Sequence, residues 1–93
     1  MKLYLISKEY GGYDIFDSAV VAAENESDAR NIHPDGESVL KDGGWATKRN
    51  GHMVAGYYAK TWAEPSEIDS ITVEYLGETN KDRGVILASF NAG

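Results

Sequence analysis

Two mainly apolar runs lie close to the two ends of this chain. Residues 2–7 read Lys-Leu-Tyr-Leu-Ile-Ser, and residues 84–93 read Gly-Val-Ile-Leu-Ala-Ser-Phe-Asn-Ala-Gly. Apolar residues at successive positions are typical of strands that are covered on both faces. We therefore predict that both runs are interior strands of one sheet, that Phe90 anchors the core, and that neither end leaves room for a leader peptide or a tail.

A short helix is predicted directly after a second strand over residues 18–23. Asn25 is a favourable N-cap, and Asp28 lies three positions later, where a carboxylate stabilises the first turn. Pro34 disfavours helical backbone at the residue before it, so the helix should end near residue 31 or 32. The expected helix is therefore about two turns long.

The alternation of residues 70–76 predicts a half-exposed antiparallel strand. Ile71, Val73 and Tyr75 share one face, whereas Thr72 and Glu74 share the other. We expect this strand to form a hairpin with the final strand through the polar residues 77–83. The predicted fold is a single α+β domain over residues 1–93, with a mainly antiparallel sheet in the order β-β-α, accessory hairpin, β-β, and one short helix.

Residues 35–68 are interpreted as a variable segment inserted within this domain. Asn50-Gly51 is the strongest two-residue hairpin signal in the chain, and it favours an accessory hairpin. A helix over residues 53–62 competes with it, because Val54, Tyr58 and Trp62 recur at helical spacing, although Gly56 disfavours that helix. The hairpin is the favoured alternative, and the helix stays open.

The charge pattern restricts the partners. The net charge is −6, from 9 basic and 15 acidic residues, and only residues 41–62 are basic, with four basic residues and one acidic residue. An acidic chain is a poor generic nucleic-acid binder, because duplex affinity comes mainly from neutralised phosphates. The pattern fits a basic protein partner or a small anionic ligand at the basic segment, unless the acidic surface serves only solubility.

The amino-acid composition restricts where the protein is expected to act and which side-chain chemistry it can use. The chain has no cysteine, which excludes disulfides and thiolate chemistry. It also has no run near the roughly 18 apolar residues that indicate a membrane-spanning helix. We expect a protein that does not contact membranes and that acts in the cytoplasm.

No constellation of residues predicts an enzyme. His33 and His52 are the only histidines, and neither has a nucleophile or carboxylate spacing that indicates catalysis or metal binding. The glycine pairs at residues 11–12 and 43–44 match no phosphate-binding loop. We therefore expect no catalytic residues, no metal and no cofactor.

A mixture of aromatic and basic residues in the middle of the chain is the candidate binding site. Tryptophan, tyrosine and arginine dominate interface hot spots, and aromatic rings also stack on bases and cations. The alternative is that the two tryptophans complete the core. The candidate residues are Trp45, Lys48, Arg49, His52, Tyr57, Tyr58, Lys60 and Trp62.

Five blocks of the chain together form a recognisable pattern. These blocks are residues 1–7, Tyr13-Asp14 with Asp17 to Ala23, Ala29 to Pro34, Val73 to Glu78, and Gly84 to Gly93. They resemble a family of small uncharacterised proteins of phages, prophages and their hosts, and the resemblance lapses over roughly residues 35–60. The family brings no established activity or site.

The resemblance implies an accessory protein that works by binding in the host bacterial cytoplasm. The first hypothesis is an anti-defence inhibitor of the anti-CRISPR kind that contacts a host protein or nucleoprotein complex. The alternatives are a module that sequesters a nucleotide or another anion, and a phage structural or assembly factor. The oligomeric state stays open.

Overall fold

The structure is a computed structural model that describes residues 1–8, 15–41, 44–49, 52–55 and 61–91. At residues 41, 47–49, 52–55 and 91 the description covers the backbone alone. The fold is α+β with a mainly antiparallel sheet, as predicted. Its strands are β1 (Lys2–Ser7), β2 (Ile15–Ala23), β3 (Val39–Lys41), β4 (Gly44–Arg49), β5 (His52–Ala55), β6 (Thr72–Glu78) and β7 (Gly84–Asn91), and its helices are α1 (Glu26–Arg30) and a 3₁₀ helix (Pro65–Ser70).

The main sheet has four antiparallel strands in the order β6-β1-β2-β7. The prediction that the first strand is interior is confirmed. The prediction for the last strand is wrong, because β7 pairs with β2 and lies at an edge of the sheet. Both faces of β7 carry apolar side chains. On one face Val85 and Ala88 pack against the core, whereas on the opposite face Leu87 is 69% exposed.

The predicted hairpin between the last two strands is also wrong, since β6 and β7 lie at opposite edges. The connection between them crosses the end of the sheet. Thr79 donates its backbone N–H to the Met1 carbonyl (2.9 Å), and the Arg83 Nε lies 2.9 and 3.0 Å from the two carboxylate oxygens of Asp28 in α1. These contacts carry the chain past β1 and the helix before it reaches β2.

The helix has the predicted position and caps. The Asn25 side chain accepts a hydrogen bond from the Asp28 backbone N–H (2.8 Å), and Asn31 is the C-cap. Ala29 is buried in the core, so the side of α1 that carries it faces the sheet. Among the described residues, no helix has the length and apolar character needed to cross a membrane.

The accessory hairpin is confirmed, and it belongs to a three-stranded sheet in the order β3-β4-β5. Arg49 at the end of β4 pairs with His52 at the start of β5, whereas the predicted turn residues Asn50 and Gly51 lie outside the described residues. The helix predicted as its competitor is excluded at residues 53–55, which are strand. Neither β3 nor the 3₁₀ helix was expected, because three-residue strands and single 3₁₀ turns have little sequence signal.

The core lies on the face of the main sheet that α1 covers. Its members come from both sheets, the helix and the 3₁₀ segment, namely Tyr4, Ile6, Ala19, Val21, Ala23, Ala29, Ile32, Trp45, Trp62, Ala63, Ile68 and Ile71. The prediction that Phe90 anchors this core is wrong. It is 45% exposed at the edge and contacts Phe16 with ring centroids 4.9 Å apart.

The alternation of β1 gives a direct test of which face is the core. Ile6 is fully buried, whereas its neighbour Leu5 is half-buried on the opposite face. We expect Ile6→Ala to lower the free energy of unfolding by about 3 kcal/mol, since it leaves a cavity, and Leu5→Ala to lower it by about 1 kcal/mol. Urea denaturation of the two variants measures both values. Equal losses would contradict this assignment of the faces.

Candidate functional site

The two tryptophans predicted to contact a partner belong to the core. Trp45 is 5% exposed and Trp62 is 2% exposed. The indole of Trp45 donates to the Ala63 carbonyl (2.8 Å), and its ring lies against His33 with centroids 5.0 Å apart. The expectation that they present their rings on the surface is therefore corrected, and the alternative, that they complete the core, is what the structure shows.

The remaining candidates of that site are placed only in part. Lys48 and Arg49 lie on β4 and His52 lies on β5, where Arg49 and His52 are paired next to the hairpin connection. Their side chains, and all of Tyr57, Tyr58 and Lys60, lie outside the described residues. A basic site at this hairpin stays a prediction.

A buried polar cluster follows α1 in the loop that leads to β3. The imidazole of His33 is fully buried; its Nδ1 accepts a hydrogen bond from the Asp35 backbone N–H (3.0 Å) and lies 3.3 Å from Asp35 Oδ1. The Asp35 carboxylate also accepts from the backbone N–H groups of Glu37 (2.8 Å) and Ser38 (2.7 Å) and from the Ser38 hydroxyl (2.5 Å). Burial alone raises the pKa of Asp35, but its contacts with His33, Ser38 and Glu37 outweigh burial and hold that pKa well below its usual range.

This cluster holds a loop in place and is not arranged for nucleophilic catalysis. Activation of a serine needs the imidazole beside the hydroxyl, with the carboxylate behind it. Here the Asp35 carboxylate lies between Ser38 and His33, and the His33 ring packs edge-on against Phe16 and Trp45. Among the described residues, no group of three histidine or carboxylate side chains is placed to hold a metal ion.

The face of the main sheet opposite α1, which we name the outer face, is the candidate binding surface. Strand register aligns its side chains in rows across the sheet. One row reads Glu74, Leu5, Val20, Leu87, and the next reads Thr72, Ser7, Ser18, Ser89. The apolar row and the hydroxyl row together form a shallow depression of about 340 Å³ that Leu5, Val20 and Leu87 line with Ser18 and Ser89.

This surface is both apolar and acidic. Leu87 is its most exposed apolar residue, and Leu76 and Ile86, at the register shifts of the two edge strands, are about half exposed. Within the described strands, the charged residues of the outer face are Glu74 and Asp17, whose carboxylate lies 3.5 Å from the Ser89 hydroxyl. Exposed apolar clusters with a polar rim are typical of protein interaction sites.

Sequence reasoning missed this surface because no single segment contains it. Leu5, Val20 and Leu87 come from three strands and meet only through the register of the sheet. The local signal for it is the apolar character of both faces of the first and last strands, and the same signal also predicts burial.

No family model, curated protein or solved structure matches this chain. The fold and the arrangement of the described residues are therefore the basis of the functional argument.

The lowered pKa of Asp35 predicts how its contribution to stability depends on pH. A carboxyl with a depressed folded-state pKa stabilises the fold above its unfolded value of about 3.9 and loses that effect as the pH falls. We expect Asp35→Asn to lower the free energy of unfolding by about 2 kcal/mol at pH 7, because amide oxygens are weaker acceptors than a carboxylate. The difference from wild type should shrink as the pH falls below about 4.

Chemical denaturation of both proteins between pH 7 and pH 3 measures this difference. The control is Asp69→Asn, which removes an exposed carboxylate on the 3₁₀ helix. A difference for Asp35→Asn that stays constant, or grows, as the pH falls would contradict the assigned role of the carboxylate.

Proposed function

We propose that this chain is a non-enzymatic binding protein of the anti-defence, anti-CRISPR-like kind, which blocks a host protein complex. The observation that carries the proposal is the outer face, where an apolar row across three strands ends in Glu74 and lies beside Asp17. The resemblance of the chain ends to phage and prophage proteins supports the biological setting.

The chemistry of the outer face favours a partner with an apolar centre and a basic rim. Burial of apolar side chains drives association, whereas rim charges mainly set specificity and the rate of encounter. The net charge of −6 attracts a basic surface over distances of about a Debye length. Proteins that bind nucleic acids carry such surfaces, and a defence complex that recognises foreign nucleic acid is one of them.

The alternative of an anion-sequestering module has less support. That hypothesis placed a nucleotide or a similar anion at Lys48, Arg49 and the neighbouring aromatic rings. Both indoles are buried, whereas Tyr57 and Tyr58 lie outside the described residues. The indole of Trp45 is also committed to its hydrogen bond with Ala63.

A plaquing assay tests the proposed function. The chain is expressed in bacteria whose CRISPR system targets an infecting phage, and plaque formation is counted. We expect the wild-type chain to restore plaques. We also expect Glu74→Lys to weaken the affinity of the chain for the host complex that it captures roughly tenfold, which equals about 1.4 kcal/mol. The control is Asp69→Lys, which makes the same change in charge on the 3₁₀ helix.

An apolar pair of variants tests the centre of the surface. Leu5→Ser lies in the middle of the outer face, whereas Leu40→Ser changes an exposed leucine of β3 in the other sheet. Leu5→Ser should abolish the rescue and Leu40→Ser should preserve it, with circular dichroism confirming that both are folded. Rescue that survives both Leu5→Ser and Glu74→Lys, or no rescue by wild type against a panel of defence systems, would refute the proposal.

A further inference from the structure

We propose that the edge of β7 pairs with β7 of a second copy of this chain, which joins two four-stranded sheets into one antiparallel sheet of eight strands. On one side β7 is hydrogen-bonded to β2, and within the described part of the chain no strand pairs with its other side. A strand at a sheet edge presents a row of unpaired N–H and C=O groups, which is a template for pairing with another strand.

Both ends of this edge are open to a neighbour. A cleft of about 340 Å³ lies at the first residues of β7 and separates Gly84 and Val85 from Val39 and Leu40 of β3. A second cleft, of about 320 Å³, lies at Phe90. A strand that approaches β7 from the side therefore meets open space at each end.

The two edges of the sheet differ in charge. The edge strand β6 carries Glu74 and Glu78, and charges on edge strands are a common device against unwanted pairing. The strand β7 carries no charged residue from Gly84 to Asn91. The pairing of β7 with β2 shifts register twice, once at Ile86 on β7 and once opposite Ser89 and Phe90, where the extra residue is Asp17 of β2. On β7 itself, Leu87–Asn91 therefore contains neither an inserted residue nor a charge.

The charge pattern makes a second copy the best occupant of this edge. Two copies that each carry a net charge of −6 repel, so they associate where like charges do not face each other. Pairing of β6 with β6 would place glutamates from both copies along one seam, whereas no residue of β7 itself is charged. The carboxylate of Asp17 lies one strand away, on β2, 3.5 Å from the Ser89 hydroxyl. A basic partner, by contrast, finds no carboxylate on β7 to pair with.

Side-chain alternation fixes the symmetry of the contact. Residues that face each other across an antiparallel pair point to the same side of the sheet, so a two-fold axis must pass between two copies of the same residue. Ser89 is the midpoint of Leu87–Asn91. Pairing at Ser89 covers the edge beside Leu87 and Phe90, which are 69% and 45% exposed in the single chain.

Sedimentation measurements over about a hundredfold range of concentration test this proposal, because association depends on concentration. We expect a dimer that strengthens with salt, since salt screens the repulsion between the acidic copies. Binding of the outer face to a basic partner should weaken with salt, so the two proposals fail separately. A monomer at every concentration and salt level would overturn the dimer.

Two exposed leucines on opposite edges provide matched variants. Leu87→Lys places a charge on β7, and Leu76→Lys places the same charge on β6. We expect the first to weaken dimerisation at least tenfold and the second to leave it nearly unchanged, with circular dichroism as the test of folding. The opposite order, or equal effects, would overturn the assignment to β7.

The absence of cysteine from the chain permits a second, geometric test. Ser89 and Thr72 are exposed and lie at opposite ends of one row across the sheet. Under mild oxidation, Ser89→Cys should form a disulfide between copies, since facing residues on paired strands have Cα atoms about 4.5–5.5 Å apart. Thr72→Cys should stay uncrosslinked. A dimeric wild type whose Ser89→Cys variant does not crosslink would refute this pairing.

Discussion

One constraint shapes this molecule: the described part of the chain covers only one face of its main sheet. The helix α1, both tryptophans and the 3₁₀ helix all contribute side chains to a single core beside Ile6 and Val21. A small domain buries a smaller fraction of its surface than a large one, so apolar side chains on a sheet face that stays exposed are expected. The outer face therefore keeps a row of apolar side chains, and the functional proposal follows from that row.

The sequence predicted the elements with strong local signals. The Asn25 cap and Pro34 placed α1 correctly, because both act within a few residues of the helix ends. Asn50-Gly51 is a strong local hairpin signal in the sequence, and Arg49 and His52 on either side of it are paired. Alternation in residues 70–76 identified β6 as half-exposed for the same local reason.

Strand order was beyond these signals. The runs at the chain ends looked alike, yet β1 is interior and β7 lies at an edge. An apolar pattern shows where side chains point, but not which strand lies beside them, and an edge strand can be apolar on both faces. The position of β7 depends on the path of residues 79–83, and the Arg83–Asp28 ion pair that guides this path joins residues 55 positions apart.

The candidate site shows the same division. The prediction that the tryptophans contact a partner rests on their frequency at interfaces. The same rings also fill the cores of small domains. The contact of Trp45 with the buried ring of His33 assigns it to the core. An aspartate in a turn commonly accepts hydrogen bonds from the backbone of the residues that follow it, and Asp35 does so from Ser38. Its partner His33 was also local, so this cluster was within reach of sequence reasoning.

A sheet with one bare face and one uncharged edge exposes two surfaces that depend on different forces. The outer face gains from contact area and from attraction by its carboxylates, whereas the β7 edge gains from backbone hydrogen bonds and from the absence of charge. Because Leu87 lies on β7 and also ends the row that begins at Glu74, the two surfaces are continuous. Pairing through β7 would therefore extend the outer face across both copies without covering it, so that a second copy and a basic partner can bind at the same time.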